Sequence, residues 1–228
     1  MGGLFYTGQR KYGGGAFTVT LKNGDKLAQK LAKLDSGAET AIKRTVSDFT
    51  ARAPAWVSKG IRQHYGVDTA AISEAGPTTR RGASSIHVAG VSVDSASLKY
   101  KGRTLTPTHF NMSPKSRPTA QQSKHIKVPG QIIAGSPVAM VRPPRKYTVK
   151  ASIIKGSRVS ISDAIIAPGK GGINLPFQTS GDNGRALEAV RTLSVPQMIS
   201  GKAKDTIEEL IGSNLEKRFE HHIQQAMK

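Results

Sequence analysis

The residues with the widest chemical reach in this chain are cations. Arg80, Arg81, Lys99, Lys101, Arg103, Lys115, Arg117, Lys124, Lys127, Arg142, Arg145 and Lys146 lie between Glu74 and Asp163, a span whose single acid, Asp94, faces fifteen lysines and arginines. Neutralising phosphates requires positive charge but no fixed spacing, so this set suits a nucleic-acid backbone. It suits an acidic protein surface equally well, and the two readings do not exclude each other. Base readout is not expected, because no helix-patterned segment here carries Asn, Gln and Arg at reading positions. A single-strand stacking platform would need interleaved aromatics, and only Tyr100, Phe110 and Tyr147 are at hand.

Other fragments resemble catalytic motifs and lack their partners. Ser152-Ile-Ile-Lys155 matches S-x-x-K without the companion motifs of that enzyme class, and its strand-like pattern would put Ser152 and Lys155 on opposite faces. Gly169-Lys170-Gly171-Gly172 has neither the upstream glycine nor the Ser/Thr of a phosphate-binding loop, so it reads as a basic turn. His221 and His222 are neighbours on a helical pattern, about 100° apart around the axis, which prevents them from chelating one metal together. The expectation there is one packed and one solvated imidazole. His64, His87, His109 and His125 have no carboxylate at ligand spacing. With so few acids, an acid/base pair or a two-metal carboxylate site has almost no raw material. The sequence reads as a non-enzyme with no cofactor and no metal.

Composition agrees with a binding or structural role. The formal charge is +19 over 228 residues, with 37% hydrophobic and 5% aromatic residues, so a core exists but is lean. That much charge calls for a polyanionic neighbour. The absence of cysteine removes disulfides and thiolate metal sites. No segment has signal-peptide character or approaches the ~20 apolar residues of a membrane span, so a soluble, unprocessed chain without a membrane partner is expected.

The elements that must position these groups follow from periodicity. Residues 1–15 form a Gly-rich basic arm, read either as flexible or as a segment that orders against a partner. Phe17, Val19 and Leu21 alternate in a short strand over Ala16–Lys22, Asn23-Gly24 turns the chain, and Asp25 can cap a helix. Leu27, Leu31, Leu34, Ala38, Ile42, Thr45 and Phe49 form that helix's stripe. Pro54 bends or restarts it, and Trp56, Val57, Ile61 and Tyr65 continue the apolar face to Gly66. Ile86–Val93 reads as one strand, and Leu105–Val141, broken by five prolines, as loop. Tyr147–Ser162 reads as a hairpin about Gly156-Ser157, with Ala164–Ala167 extending the sheet. After Met198 one uninterrupted amphipathic helix runs to Lys228, with Ile207, Leu210, Ile211, Leu215, Phe219, Ile223 and Ala226 as its stripe. The expected fold is α+β. A long N-terminal helix and a C-terminal amphipathic helix pack on one antiparallel sheet, with long proline-rich loops. The arm is followed by one domain over 16–228, carrying a basic, loop-rich insertion around 75–145.

Several phrases, in order, resemble the phage minor tail protein Z-like (tail completion) family. They are Ala38–Phe49, Ala53-Pro-Ala-Trp-Val-Ser-Lys59, Ile61-Arg-Gln-His-Tyr-Gly-Val67, Leu105-Thr-Pro-Thr-His-Phe-Asn-Met-Ser-Pro114, the basic hairpin Val149–Arg158, and Ser194-Val-Pro-Gln-Met198 followed by the helix with Phe219-Glu-His-His222. The likeness covers roughly residues 25–228. Leu175-Pro-Phe-Gln-Thr-Ser-Gly-Asp182 departs from it. The resemblance implies a structural virion protein that completes a long phage tail at its head-proximal end. Its partners would be further copies of itself in a ring, commonly sixfold, a tail terminator or tail-tube protein, head connector proteins, and nonspecific duplex DNA in the channel. Its location would be the virion, reached from the host cytoplasm. A free nonspecific DNA- or RNA-binding protein is the reading from a different class.

Ser194, Val195, Pro196, Gln197 and Met198 then have two readings. They are a rigid connector at a subunit or tail interface, with Pro196 fixing the chain before the final helix. Alternatively they are a buried turn between elements, with Met198 filling the core.

Overall fold

The computed structural model describes residues 15–16, 37–88, 91–118, 147–169, 171–180 and 186–226. The expected strand over residues 17–22, the Asn23-Gly24 turn, the Asp25 cap and the first turns of the Leu27 stripe lie outside these residues.

Helix α1 spans Gly37–His64 and runs straight through Pro54 rather than restarting there. Proline removes one helical hydrogen bond and crowds the carbonyl four residues back, at a cost of about 3 kcal/mol in a free helix. Burial on both sides of it offsets that cost: Phe49 and Ala53 before it, Val57 and Ile61 after it, are all buried in one core. Asp68 caps the short helix α2 (Thr69–Glu74), its Oδ1 accepting from Ala71 N.

The segment expected as one strand is two, β2 (Thr78–Val88) and β3 (Val91–Tyr100), paired antiparallel. Ala89-Gly90 falls between them, which a pattern-based reading ran through as strand. The register slips between Arg81 and Ser85, where Gly82 interrupts the ladder. A two-residue strand, β1 (Gly15–Ala16), adds to the other edge of β3, Gly15 opposite Tyr100. The described part of the proline-rich stretch is loop around a single turn of 3-10 helix at Pro107–His109.

The hairpin about Gly156-Ser157 forms as expected, from β4 (Val149–Ala151) and β5 (Val159–Ile161). Ile165–Pro168 (β6) does not extend it. It starts a separate ladder with β7 (Asn174–Ser180) and β8 (Ala186–Ala189), in the order β6-β7-β8. The α+β class holds, but the antiparallel strands make three small sheets rather than one. Strands of three or four residues bury too little alone, and the helices and loops between them complete the core.

The C-terminal helix is also divided. Helix α3 (Val195–Ser200) is separated from α4 (Lys204–Ala226) by Gly201–Ala203. The break is held by Tyr65, whose hydroxyl accepts from Lys202 N at 3.1 Å. A side chain at Gly201 would meet Gln197 O at 2.8 Å and the Tyr65 hydroxyl at 2.9 Å, so the corner admits only glycine. In α4, Ile207, Ile211, Leu215, Phe219 and Ile223 are buried, a strict i, i+4 row that lies against α1. Asp48 meets His222 and His64 meets Thr206, so the two helices run antiparallel.

Candidate functional site

The basic residues read from the sequence divide on folding. Lys124, Lys127, Arg142, Arg145 and Lys146 lie outside the described residues. Arg80 and Arg81 occupy consecutive positions of β2, in register with Ser97 and Ala96. Consecutive strand positions belong to opposite faces, so only Arg80 shares a ladder face with Lys99, whose partner is Thr78. Lys99, Lys101, Arg103, Lys115 and Arg117 are exposed. Lys99 sits between the buried Leu98 and Tyr100, the alternation of a strand with one wet face.

Tertiary structure brings two of the sequence-derived groups together. Thr104 bridges Ser194, Thr192 N donates to Leu105 O at 2.8 Å, and Leu105 N to Leu193 O at 3.3 Å. One step earlier, a β-carbon at Gly102 would touch both Pro196 Cδ and Ala75 Cβ at 3.5 Å, while Lys101 N donates to Ala75 O. Exposed Lys101 and Arg103 therefore flank a backbone segment pinned between the end of α2 and the start of α3. In the same way Ser113 and Lys150 exchange both backbone hydrogen bonds, at 2.8 and 2.9 Å. This sets the Lys115–Arg117 loop beside the β4–β5 hairpin, where Lys150, Lys155 and Arg158 are exposed. Those three, with Lys59 and Arg62 on the outer side of α1, were absent from the basic set read from the sequence. Lys59 and Arg62 belong to an amphipathic helix and look like an ordinary solvated face until the neighbouring elements are known.

The Ser194–Met198 phrase is a helix start. Ser194 is the N-cap of α3 and Gln197 completes a capping box: Ser194 N donates to Gln197 Oε1 at 2.9 Å and Gln197 N to Ser194 Oγ at 3.4 Å. Pro196 sits in the first turn, where its missing N–H leaves no bond unmade. Ser194, Val195, Pro196 and Met198 are buried inside this chain and Gln197 is half-buried, so these side chains face their own core.

The aromatic candidates are likewise inward. Tyr100 and Phe110 are fully buried, and the half-buried Tyr147 hydroxyl accepts from Ile166 N at 2.8 Å, tying β6 to the hairpin. Tyr100 floors a cleft of about 380 Å³ lined by Pro54, Ser58, Lys59, Arg62 and Ile72 among others. Its hydroxyl is buried without a hydrogen-bond partner, and burial pushes its ionisation well above the usual phenol range.

The motif-like fragments resolve as follows. Ser152–Lys155 lies outside the strands, in the turn leaving β4, contrary to the strand position expected. The Ser152 hydroxyl is engaged with the carbonyls of Ile154 and Ser157. Gly169–Gly172 is a turn closed by Gly172 N to Gly169 O at 3.0 Å. His221 is exposed and the half-buried His222 bonds to Asp48, its ring edge-on to His221 at 5.5 Å between centroids. His109 does have a carboxylate neighbour, Asp68 Oδ2 at 3.1 Å, which 41 residues of separation hid from the sequence. Asp48 is met by His222, Arg52 (3.5 Å) and Arg218 (3.8 Å). Burial raises its ionisation, but the His222 hydrogen bond and the two guanidiniums outweigh that and hold it below the usual carboxylate value.

No protein-family model matches this chain, and no curated protein or solved structure is found to be similar to it.

Proposed function

We propose that this chain is a structural subunit of a long-tailed phage virion, part of the tail-completion or neck ring at the head-proximal end of the tail, surrounding the DNA channel while head and tail join. The observation that carries this reading is where the positive charge sits. Lys99, Lys101, Arg103, Lys115, Lys150 and Arg158 project from strands and loops, while both long helices are packed against each other. The final helix carries Asp205, Glu208, Glu209, Glu216 and Glu220, which suits it poorly to a nucleic-acid groove. Charge without a reading element is what a channel needs, since DNA must pass without sequence-dependent arrest. The ordered resemblance to tail-completion proteins supplies the setting. A lean core fits a protomer that gains stability by burying surface in its assembly.

The test is a phage carrying an amber codon in this gene, complemented by wild type or by the triple variant Lys99→Ala, Lys101→Ala, Arg103→Ala. The reading expects unjoined heads and tails in the amber infection. It also expects the purified wild-type chain to co-sediment with tails and, alone, to bind duplex DNA weakly. Tight, strongly salt-dependent binding by the monomer, with normal head–tail joining in its absence, would instead identify a free nucleic-acid-binding protein.

A further inference from the structure

The β6-β7-β8 ladder is apolar on both faces, and only one is covered. Ile166, Pro176 and Val190 point into the core and are buried. The opposite face is set by register: Ile165, Phe177 and Ala189 form one cross-strand row, Ala167 pairs with Leu175, and Thr179 with Leu187. Apart from Thr179 every one of these is apolar, and none is charged. Ile165 is 44% and Leu187 54% exposed, and Ile173, in the turn leading into β7, is 63% exposed. An antiparallel sheet with one wet face alternates apolar with polar residues. Here the alternation is missing from a chain of net charge +19.

The patch is small. Three strands about 4.8 Å apart and about four residues deep make on the order of 200 Å². A stable globular interface buries about 800 Å² per partner, so the face fits a short segment rather than a second folded surface. Such a segment exists at the other end of the chain. Leu4-Phe5-Tyr6 is a run of three large apolar residues, and no acid occurs before Asp25. Gly13 and Gly14 then lead to Gly15, which is fixed opposite Tyr100. The fourteen residues before Gly15 can reach up to roughly 46 Å when extended. Within one chain Ile165, Ile173 and Leu187 stay exposed, so the covering segment comes from elsewhere.

We infer that the apolar face of β6-β7-β8 is the receptor for the Leu4-Phe5-Tyr6 segment of a second copy, so that successive subunits are linked arm to sheet. The link rests on the proposal that the chain works in a ring, and it closes a ring only if each arm passes to the next copy in one direction.

The chain has no cysteine, which makes a disulfide test clean. Phe5→Cys and Leu187→Cys are introduced into separate full-length chains, mixed, and oxidised, with Ser213→Cys on the exposed side of α4 as control. The expected result is a cross-linked dimer from the Phe5→Cys and Leu187→Cys mixture, enriched about tenfold or more over the control mixture. In the wild-type background, Leu187→Lys is expected to weaken self-association by about 30-fold, equivalent to about 2 kcal/mol, with an unchanged melting curve. If Leu187 variants do not fold, Ile173→Cys and Ile173→Lys in the exposed turn take their place. No enrichment overturns the inference, as does a disulfide formed only within single chains of a Phe5→Cys, Leu187→Cys double variant. Cross-linking reads arm docking alone, whereas head–tail joining in the amber complementation reads the ring proposal. An absent cross-link with intact joining sinks only the arm; a strong cross-link with no role in joining sinks only the ring.

Discussion

His222 Nε2 lies 3.1 Å from Asp48 Oδ2, joining residues 174 positions apart at one end of the α1–α4 pair. Arg52 and Arg218 approach the same carboxylate from the two helices, so one acid holds three basic groups at the seam. The arrangement pins one end of an antiparallel pair whose other end is held by His64 and Thr206, 2.7 Å apart.

This cluster gives acid sensitivity with a defined sign. The folded-state ionisation of Asp48 is depressed, so its contribution to stability is present above the unfolded carboxylate value. It is lost as pH falls from about 4 through the lower folded value. Asp48→Asn should lower stability by about 1–2 kcal/mol at neutral pH and flatten this acid limb. Urea melts of both proteins from neutral pH to pH 3 measure it; an identical acid slope in the variant would show that Asp48 is not responsible.

Gly60 is where α1 and α4 approach most closely among the glycines. A methyl group there would lie 2.6 Å from Ile207 Cγ1 and 3.3 Å from Ile207 Cα. Helix propensity favours alanine by about 1 kcal/mol, but overpacking costs about 1–3 kcal/mol. Gly60→Ala should therefore be neutral to mildly destabilising in wild type and stabilising in an Ile207→Ala background. A double-mutant cycle by chemical denaturation tests this, and additive effects would contradict the contact.

Two other glycines should move in opposite directions. At Gly66 a β-carbon would fall 2.1 Å from the backbone oxygen of Ser152, which cannot rotate away, so Gly66→Ala should cost about 3 kcal/mol or more. At Gly212, inside α4, it would meet nothing, and Gly212→Ala should add about 0.5–1 kcal/mol. Calorimetric melting temperatures of the pair against wild type check both signs.

Ser194→Ala removes the cap and leaves Gln197 N unpaired in a buried corner, and should cost about 1–2 kcal/mol. Met198→Ala should cost about 2–4 kcal/mol because the side chain is fully buried. Measuring folding and particle assembly for each separates a joint inside the subunit from a contact between subunits. Assembly lost while the fold survives would favour the contact.

The Tyr100 hydroxyl is buried with no partner, so it contributes nothing that phenylalanine could not supply. Tyr100→Phe should be neutral or stabilising by up to about 1 kcal/mol. A loss above that, measured in urea, would reveal a partner for the hydroxyl.

The limits of reading this chain from its sequence show at particular residues. The burial of Val57, Ile61, Ile207, Ile211 and Phe219 was legible because helical periodicity is a local property written every three or four positions. The turn at Gly156-Ser157 was legible for the same reason. Pro54 misled, because its local penalty is opposed by packing supplied from α4, some 150 residues away. Gly201 was overlooked, since nothing local shows that Tyr65 occupies the space beside it. The pairing of Asp68 with His109, and of Asp48 with His222, joins residues no spacing rule connects.

By itself, then, the sequence determined the charge excess, the α+β class, the two amphipathic helices and the absence of cysteine chemistry, all of which are sums or short-range periodicities. Only the tertiary structure decided that the strands form three ladders and that Lys101 and Arg103 flank the start of α3. It also decided that Ser194–Met198 faces inward and that one face of β6-β7-β8 stays bare. Those outcomes depend on which surfaces meet across long separations, and that is settled by competition among packings rather than by any residue's own preference.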